Sequence, residues 1–269
     1  MKGLLIEDAL LADAHPLTLA VGPGEHVALV GEVDDVGEAL AGILTGRLSP
    51  TAGRISFDGL SPGGKAWELR EAVRTKLGIW RHYRRAPLNP RLSLLAAIEE
   101  PLIVGAPRML PRARRDRVAE VLAGLGGDPN WLDLQAADLS PLAIQLGMLA
   151  RALINEPAIL LGIEPFAGLD PEETAPLVNL LLSKKDEGAF GLLLVNRDLG
   201  LAAHVAERIL VFQGGACVEE GPARRIRLSP SHPYTRLLAN SLPETWGGGF
   251  LTPARPLEAA APVPMPKLN

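Results

Sequence analysis

The chain has 269 residues, 47% of them hydrophobic, with a net charge of −4 and a sequence pI near 5.8. That length supports one sizeable core, or a core with a subdomain, while the acidic balance and 4% aromatic content exclude a global basic field or a base-stacking surface for nucleic acid. The single cysteine, Cys217, excludes an internal disulfide framework and a cysteine metal cluster, and a reducing compartment fits it.

The N-terminal stretch MKGLLIEDALLADAHP carries acidic residues inside a short apolar segment and is not patterned as a secretory signal. Short β-type runs then alternate with longer helical ones. Strands are predicted at Leu4–Ile6, Leu17–Val21, Val27–Val30, Arg54–Phe57, Leu77–Trp80, Ile159–Leu161, Gly191–Val195 and Ile209–Gln213. Several of these are almost wholly apolar, as parallel strands buried on both faces must be. Helices are predicted at about Val36–Gly46, Trp67–Arg74, Ser93–Val104, Arg112–Leu125, Pro141–Asn155, Pro171–Lys185 and Leu199–Arg208. The alternation predicts an α/β fold with a mainly parallel sheet. The longest apolar runs, Ala158–Ile163 and Leu192–Val195, are too short to span a bilayer.

Residues 83 to about 150 lack strand patterns and are rich in arginine, proline and helix formers, so they are expected to form an inserted helical subdomain. Its charge run Arg112–Arg117 is the pattern of a solvated helix face. Cys217 is expected as a small residue on a strand Ile209–Val218. After Leu242 the composition turns to Gly, Pro and Ala, which marks a tail. The expected organisation is an α/β core at 1–82 and 151–225, the helical insert at 83–150, and a C-terminal extension at 226–269.

The stretch with most bearing on function is VALVGEVDDVGEAL, residues 27–40. An apolar strand runs into Gly31 and a helix-compatible run begins near Glu38, the outline in which a loop G-x-x-x-x-G-K-[ST] holds phosphate and magnesium. Here the second glycine is Val36, the lysine position is Gly37 and the hydroxyl position is Glu38, and Asp34 and Asp35 add carboxylates. The stretch is expected to act as a connector. Asp34, Asp35 and Glu38, with Glu164, form an oxygen-rich set whose ordinary role is a solvated surface, and no metal site is assigned. His15, His26, His204 and His232 have no ligand spacing.

In order along the chain, LSPTAGRISFDG (from Leu48), APLNPR (Ala86–Arg91), EEPL (Glu99–Leu102), LSPLAIQLGMLARALINEPAILLGIEPFAGLDP (Leu139–Pro171), LLLVNRDLGLAAHVAERILVF (from Leu192) and SPSHPYTRLLANSLP (Ser229–Pro243) resemble an ABC transporter ATP-binding subunit of the oligopeptide, dipeptide and nickel importer branch. The resemblance covers about residues 3–243. It implies a P-loop NTPase-like core with an N-terminal β element, and nucleotide positions that are degenerate here. No adenine-stacking aromatic lies within LLADAHP. The Q-loop glutamine is His82, beside Arg81. The signature keeps Leu139 and Ser140 but replaces its glycines with Pro141 and Leu142. The magnesium-binding aspartate of the Walker B strand is Ile163, while the catalytic-glutamate position is still Glu164. The D-loop keeps Leu169 and Asp170, and the switch histidine is Arg197.

Charge neutralisation at the γ-phosphate dominates catalysis in this fold, and the lysine and magnesium ligands that supply it are gone. Glu164 is thereby expected to be an inactive remnant, and ATP with magnesium is expected only at a site shared with a partner, to which Ser140 and Asp170 contribute. The resemblance implies an active ABC ATPase subunit and integral membrane permease subunits as partners, at the inner face of the cell membrane, with no nucleic acid. The accessory subunits of carbon–phosphorus lyase are also similar, which keeps a scaffold in a soluble enzyme complex as the alternative. An active ATPase with a rearranged site ranks below both.

Overall fold

The computed structural model describes residues 3–10, 15–50, 52–58, 76–82 and 88–241. The predicted helix Trp67–Arg74, most of LLADAHP and the tail after Leu242 lie outside them. Strands β1 (Leu4–Ala9), β2 (Leu17–Val21) and β4 (Arg54–Phe57) form an antiparallel sheet in the order β2-β1-β4. The main sheet has the order β5-β6-β7-β3-β8-β9. Its strands are β3 (His26–Gly31), β5 (Leu77–Arg81), β6 (Ile159–Ile163), β7 (Gly191–Asn196), β8 (Arg208–Gln213) and β9 (Ala216–Pro222). Every neighbouring pair is parallel except the β8–β9 hairpin. The expected α/β class with a mainly parallel sheet is what forms.

Strands β3, β6 and β7 are buried at every position, which is why their sequences are continuous apolar runs. Their side chains alternate between two cores. Ala28, Val30, Leu160, Leu192 and Leu194 face a helical layer built from α2 (Leu94–Gly105), α3 (Pro111–Gly124), α4 (Pro141–Leu153), α5 (Pro171–Asp186) and α6 (Leu199–Val205). Val27, Leu29, Leu161, Ile163, Leu193 and Val195 face α1 (Asp34–Leu44) and the antiparallel sheet. Among the described residues no helix is long and apolar enough to cross a membrane.

Two local expectations are corrected. The helix from Leu199 ends at Val205, because Glu207 already donates its N–H to His26 O at 2.8 Å and Arg208 opens β8. The single strand Ile209–Val218 is two strands folded at Gly214 and Gly215, both with positive φ, which puts Cys217 on the exposed outer strand. The region after β9 forms α7 (Ala223–Leu228) and α8 (Pro233–Asn240), with Ile226 and Thr235 fully buried.

His26 begins β3 inside the core, stacked on Phe190 with ring centroids 6.1 Å apart and its Nδ1 3.3 Å from Val205 O. Burial, outweighing the hydrogen bond to Val205, holds its pKa below 6.5. Protonation is therefore easier in the unfolded chain than in the fold, so stability falls as pH drops below about 6.5. Thermal unfolding at pH 7.5 and 5.5 should show a drop in midpoint that His26→Gln reduces.

Candidate functional site

The carboxyl ends of β6, β7 and β3 lie side by side, with Ile163 opposite Val195 and Val30 opposite Asn196. Parallel sheets bind ligands at this edge. The register brings together the next residues in each strand, Glu164, Arg197 and the loop after Gly31. A cleft of about 1000 Å³ opens there, lined by Glu32, Asp34, Asp35, Glu38, Arg197 and Tyr234 among others.

The loop differs from the expected connector. Helix α1 begins at Asp34, two residues before the predicted helix start at Val36 and three before Gly37. Two carboxylates in the first turn favour that start, because they complement the positive end of the helix dipole. The N–H of Gly37 donates to Val33 O at 3.1 Å within the helix, the N–H of Val33 to Gly31 O at 3.0 Å, and that of Glu32 to Phe212 O at 3.0 Å. The main-chain N–H groups of Glu32, Val33 and Gly37 are thus spent on the chain itself. Glu32 closes the other side by accepting the N–H of Gly214 at 2.7 Å.

Under the loop, the floor is apolar. Ile163, at the position implied for the magnesium-binding aspartate, is 2% exposed. A Cβ on Gly37 would lie 3.1 Å from both Ile163 Cγ2 and Val195 Cγ1, a contact tight enough to need movement for any side chain. Val36 is buried as well. The residues present therefore do not fit Mg·ATP: there is no lysine, no hydroxyl and no Walker B carboxylate, and the loop brings negative charge to where phosphate charge would come.

Each acidic group of the expected oxygen-rich set except Asp35 instead meets a guanidinium. Arg197 Nη2 pairs with Asp34 Oδ2, its Nε lies 4.0 Å from Glu164 Oε1, and its main-chain N–H donates to Glu164 Oε1 at 2.9 Å. Arg81 Nη2 pairs with Glu38 Oε2 at 3.2 Å. No group of three or more metal-ligating side chains forms among the described residues. Glu164 sits at φ +47°, a left-handed conformation costly for a non-glycine residue, with its own N–H on Val195 O at 2.8 Å. Its carboxylate organises the turn after β7.

The other predicted positions fall in ordered places. His82 is buried directly after β5, with its N–H on Ile163 O at 3.1 Å. Ser140 caps α4, its Oγ accepting the N–H of Ala143 at 3.2 Å, and Pro141 occupies the first turn that tolerates it. Asp170 caps α5 in a reciprocal box with Glu173, at 2.8 and 3.3 Å. Gly31, Gly37, Glu38, Glu164, Arg197 and His82 gather at one sheet edge.

Sequence reasoning missed Tyr234 and Glu219. Tyr234, on α8, packs so closely over Gly31 that a Cβ there would meet its ring at 3.1 Å and its hydroxyl at 3.2 Å. Burial, then Glu32, raises its pKa. Glu219 on β9 accepts the N–H groups of Ser231 and His232, each at 2.9 Å, and Arg225 Nη1 at 2.9 Å. Burial would raise its pKa, but those two main-chain donors, then Thr235 and Arg225, bring it down to about 2. The available signal was the acid pair Glu219–Glu220 ahead of SHPYT, a turn-and-cap sequence in need of an acceptor.

Comparison with known proteins agrees with this frame. A family model described as ABC transporter matches residues 14–167. The dipeptide transport ATP-binding protein DppF of Haemophilus influenzae is 27% identical over 242 residues, 90% of this chain and 74% of that protein. The oligopeptide transport ATP-binding protein OppF of Salmonella typhimurium is 32% identical over 228 residues, 84% and 68% respectively. Among solved structures, a dimeric ATP-binding cassette in a post-hydrolysis state with ADP and Pi has a TM-score of 0.71 at 24% identity, over 82% of this chain and 99% of that one. The structure of cbiO1 from Clostridium perfringens, part of the cbiONQ transporter complex, has a TM-score of 0.70 at 22% identity, over 91% and 97%. On the family match and the relatives together, this chain belongs to the ABC transporter family.

Proposed function

We propose that this chain is a non-hydrolysing ATP-binding-type subunit of a peptide-class importer, paired with an active ATPase subunit and docked on membrane permease subunits. The observation that carries this reading is Arg197 bridging Asp34 and Glu164 across the loop that begins α1. A general base must face a positioned water and phosphate; Glu164 faces an arginine of its own chain. Relatives named as oligopeptide and dipeptide transport ATP-binding proteins support the importer class. Ser140 and Asp170 head intact, capped helices, so this subunit can present them to a site whose phosphate-binding residues belong to the partner.

Calorimetric titration of the isolated chain with Mg·ATP should give no binding below about 1 mM, a bound set by like charge at close range. A micromolar Kd would sink the reading. The tagged chain, recovered from its own cells, should bring permease subunits and a second cassette with an intact lysine. Recovery with soluble enzymes alone would favour a scaffold in a soluble complex instead.

A further inference from the structure

Two arginines tie the first two turns of α1 to three different strand ends. Arg197 leaves β7 and joins Asp34 to Glu164, the residue after β6. Arg81 ends β5 and holds Glu38, and its side chain is only 20% exposed. The main-chain carbonyl of Arg81 accepts Gln145 Nε2 at 3.1 Å, and Gln145 is fully buried in the α4 helix that Ser140 caps. A continuous path therefore runs from Glu38 through Arg81 and Gln145 to α4, and a second from Asp34 through Arg197 to Glu164.

We propose that these pairs form a built-in latch, which fixes the ends of β5, β6 and β7, and the α4 helix, against α1 without any ligand. The guanidinium groups and carboxylates reproduce, with signs exchanged, the cross-loop attraction that a bound anion would supply. The inference rests on the reading that no nucleotide fills the cleft, but it says more: the subunit keeps one arrangement at all ligand concentrations. The pairs are partly exposed, so each contributes modestly, and their effect is on local opening rather than on global stability.

Hydrogen exchange of the full ligand-free chain tests this. Arg81→Glu and Glu38→Arg should each speed exchange in segments 77–82 and 141–147 by roughly three- to fivefold, the scale of one partly exposed ion pair. The double variant, with the charges swapped, should return both segments to within about twofold of the starting rates. Arg197→Gln should open 31–38 and 196–201 by a similar factor, leaving β1 unchanged. If Arg81→Glu does not fold, Glu38→Gln tests the same pair with one partner removed. Unchanged exchange in the single variants, or a swap as open as either, would overturn the latch. Mg·ATP titration tests the underlying reading separately, so either can fail alone.

Discussion

Gly31→Ala should lower stability by about 3–4 kcal/mol, from a strained backbone plus overpacking, and thermal unfolding should shift down by roughly 10 °C. Gly31 has φ +101°, and a Cβ on it would lie 2.4 Å from Phe212 O. That oxygen belongs to β8 and accepts the N–H of Glu32, so it cannot move without breaking the strand end. Tyr234 closes the remaining space. Glu38→Ser, which restores the hydroxyl of a phosphate loop, should cost about 1 kcal/mol or less, because it removes only a partly exposed ion pair. The contrast separates the shape of the loop from its chemistry. A loss under 1 kcal/mol for Gly31→Ala would show that the backbone path is not the constraint proposed.

Glu219→Gln is the second large effect. The carboxylate is 6% exposed as a side chain and takes two main-chain N–H groups and Arg225. Depression of its pKa from 4.5 to about 2 corresponds to on the order of 3 kcal/mol. Because the folded value is the lower one, this stabilisation is complete above about pH 4.5 and is lost as pH falls toward 2. The amide cannot accept both N–H groups as a charged acceptor, so α8 should loosen and release Tyr234 from Gly31. Acid unfolding followed by tyrosine fluorescence and circular dichroism should show a transition between pH 4.5 and 2 in the parent that is blunted in the variant. Equal acid profiles would count against Glu219 as the anchor of the C-terminal helices.

Much of the frame was legible because burial leaves a direct trace in sequence. ILLGI and GLLLVN can only be strands covered on both faces, and each forms a central strand of the sheet. Helices with caps were equally plain: Ser140 ahead of Pro141, and Asp170 ahead of PEE, mark their own starts. The site was legible as a set of departures but not as a set of partners. Arg197, Arg81, Asp34 and Glu38 each stood out singly, yet their pairing depends on strand order β5-β6-β7-β3, which local periodicity does not encode. The early start of α1 was hidden for a related reason. The apolar pattern suggested a start at Val36, whereas Asp34 and Asp35 have the charge to begin the helix two residues earlier. Likewise α8 is short, and its seat depends on a carboxylate from another strand.

The turn of helix at Asp34–Gly37 also sets the order in which the residues of a phosphate loop could be introduced. Lysine at residue 37 would enter a wound turn whose N–H is already bonded to Val33, above Ile163 and Val195. An aspartate at residue 163 would be buried at a 2% exposed position with no cation to meet it. Each reversion is harmful until the others are present, and all of them wait on unwinding that turn and releasing Arg197. A fold in this condition works as a ratchet: every single step toward a phosphate loop weakens the packing before the next one can help.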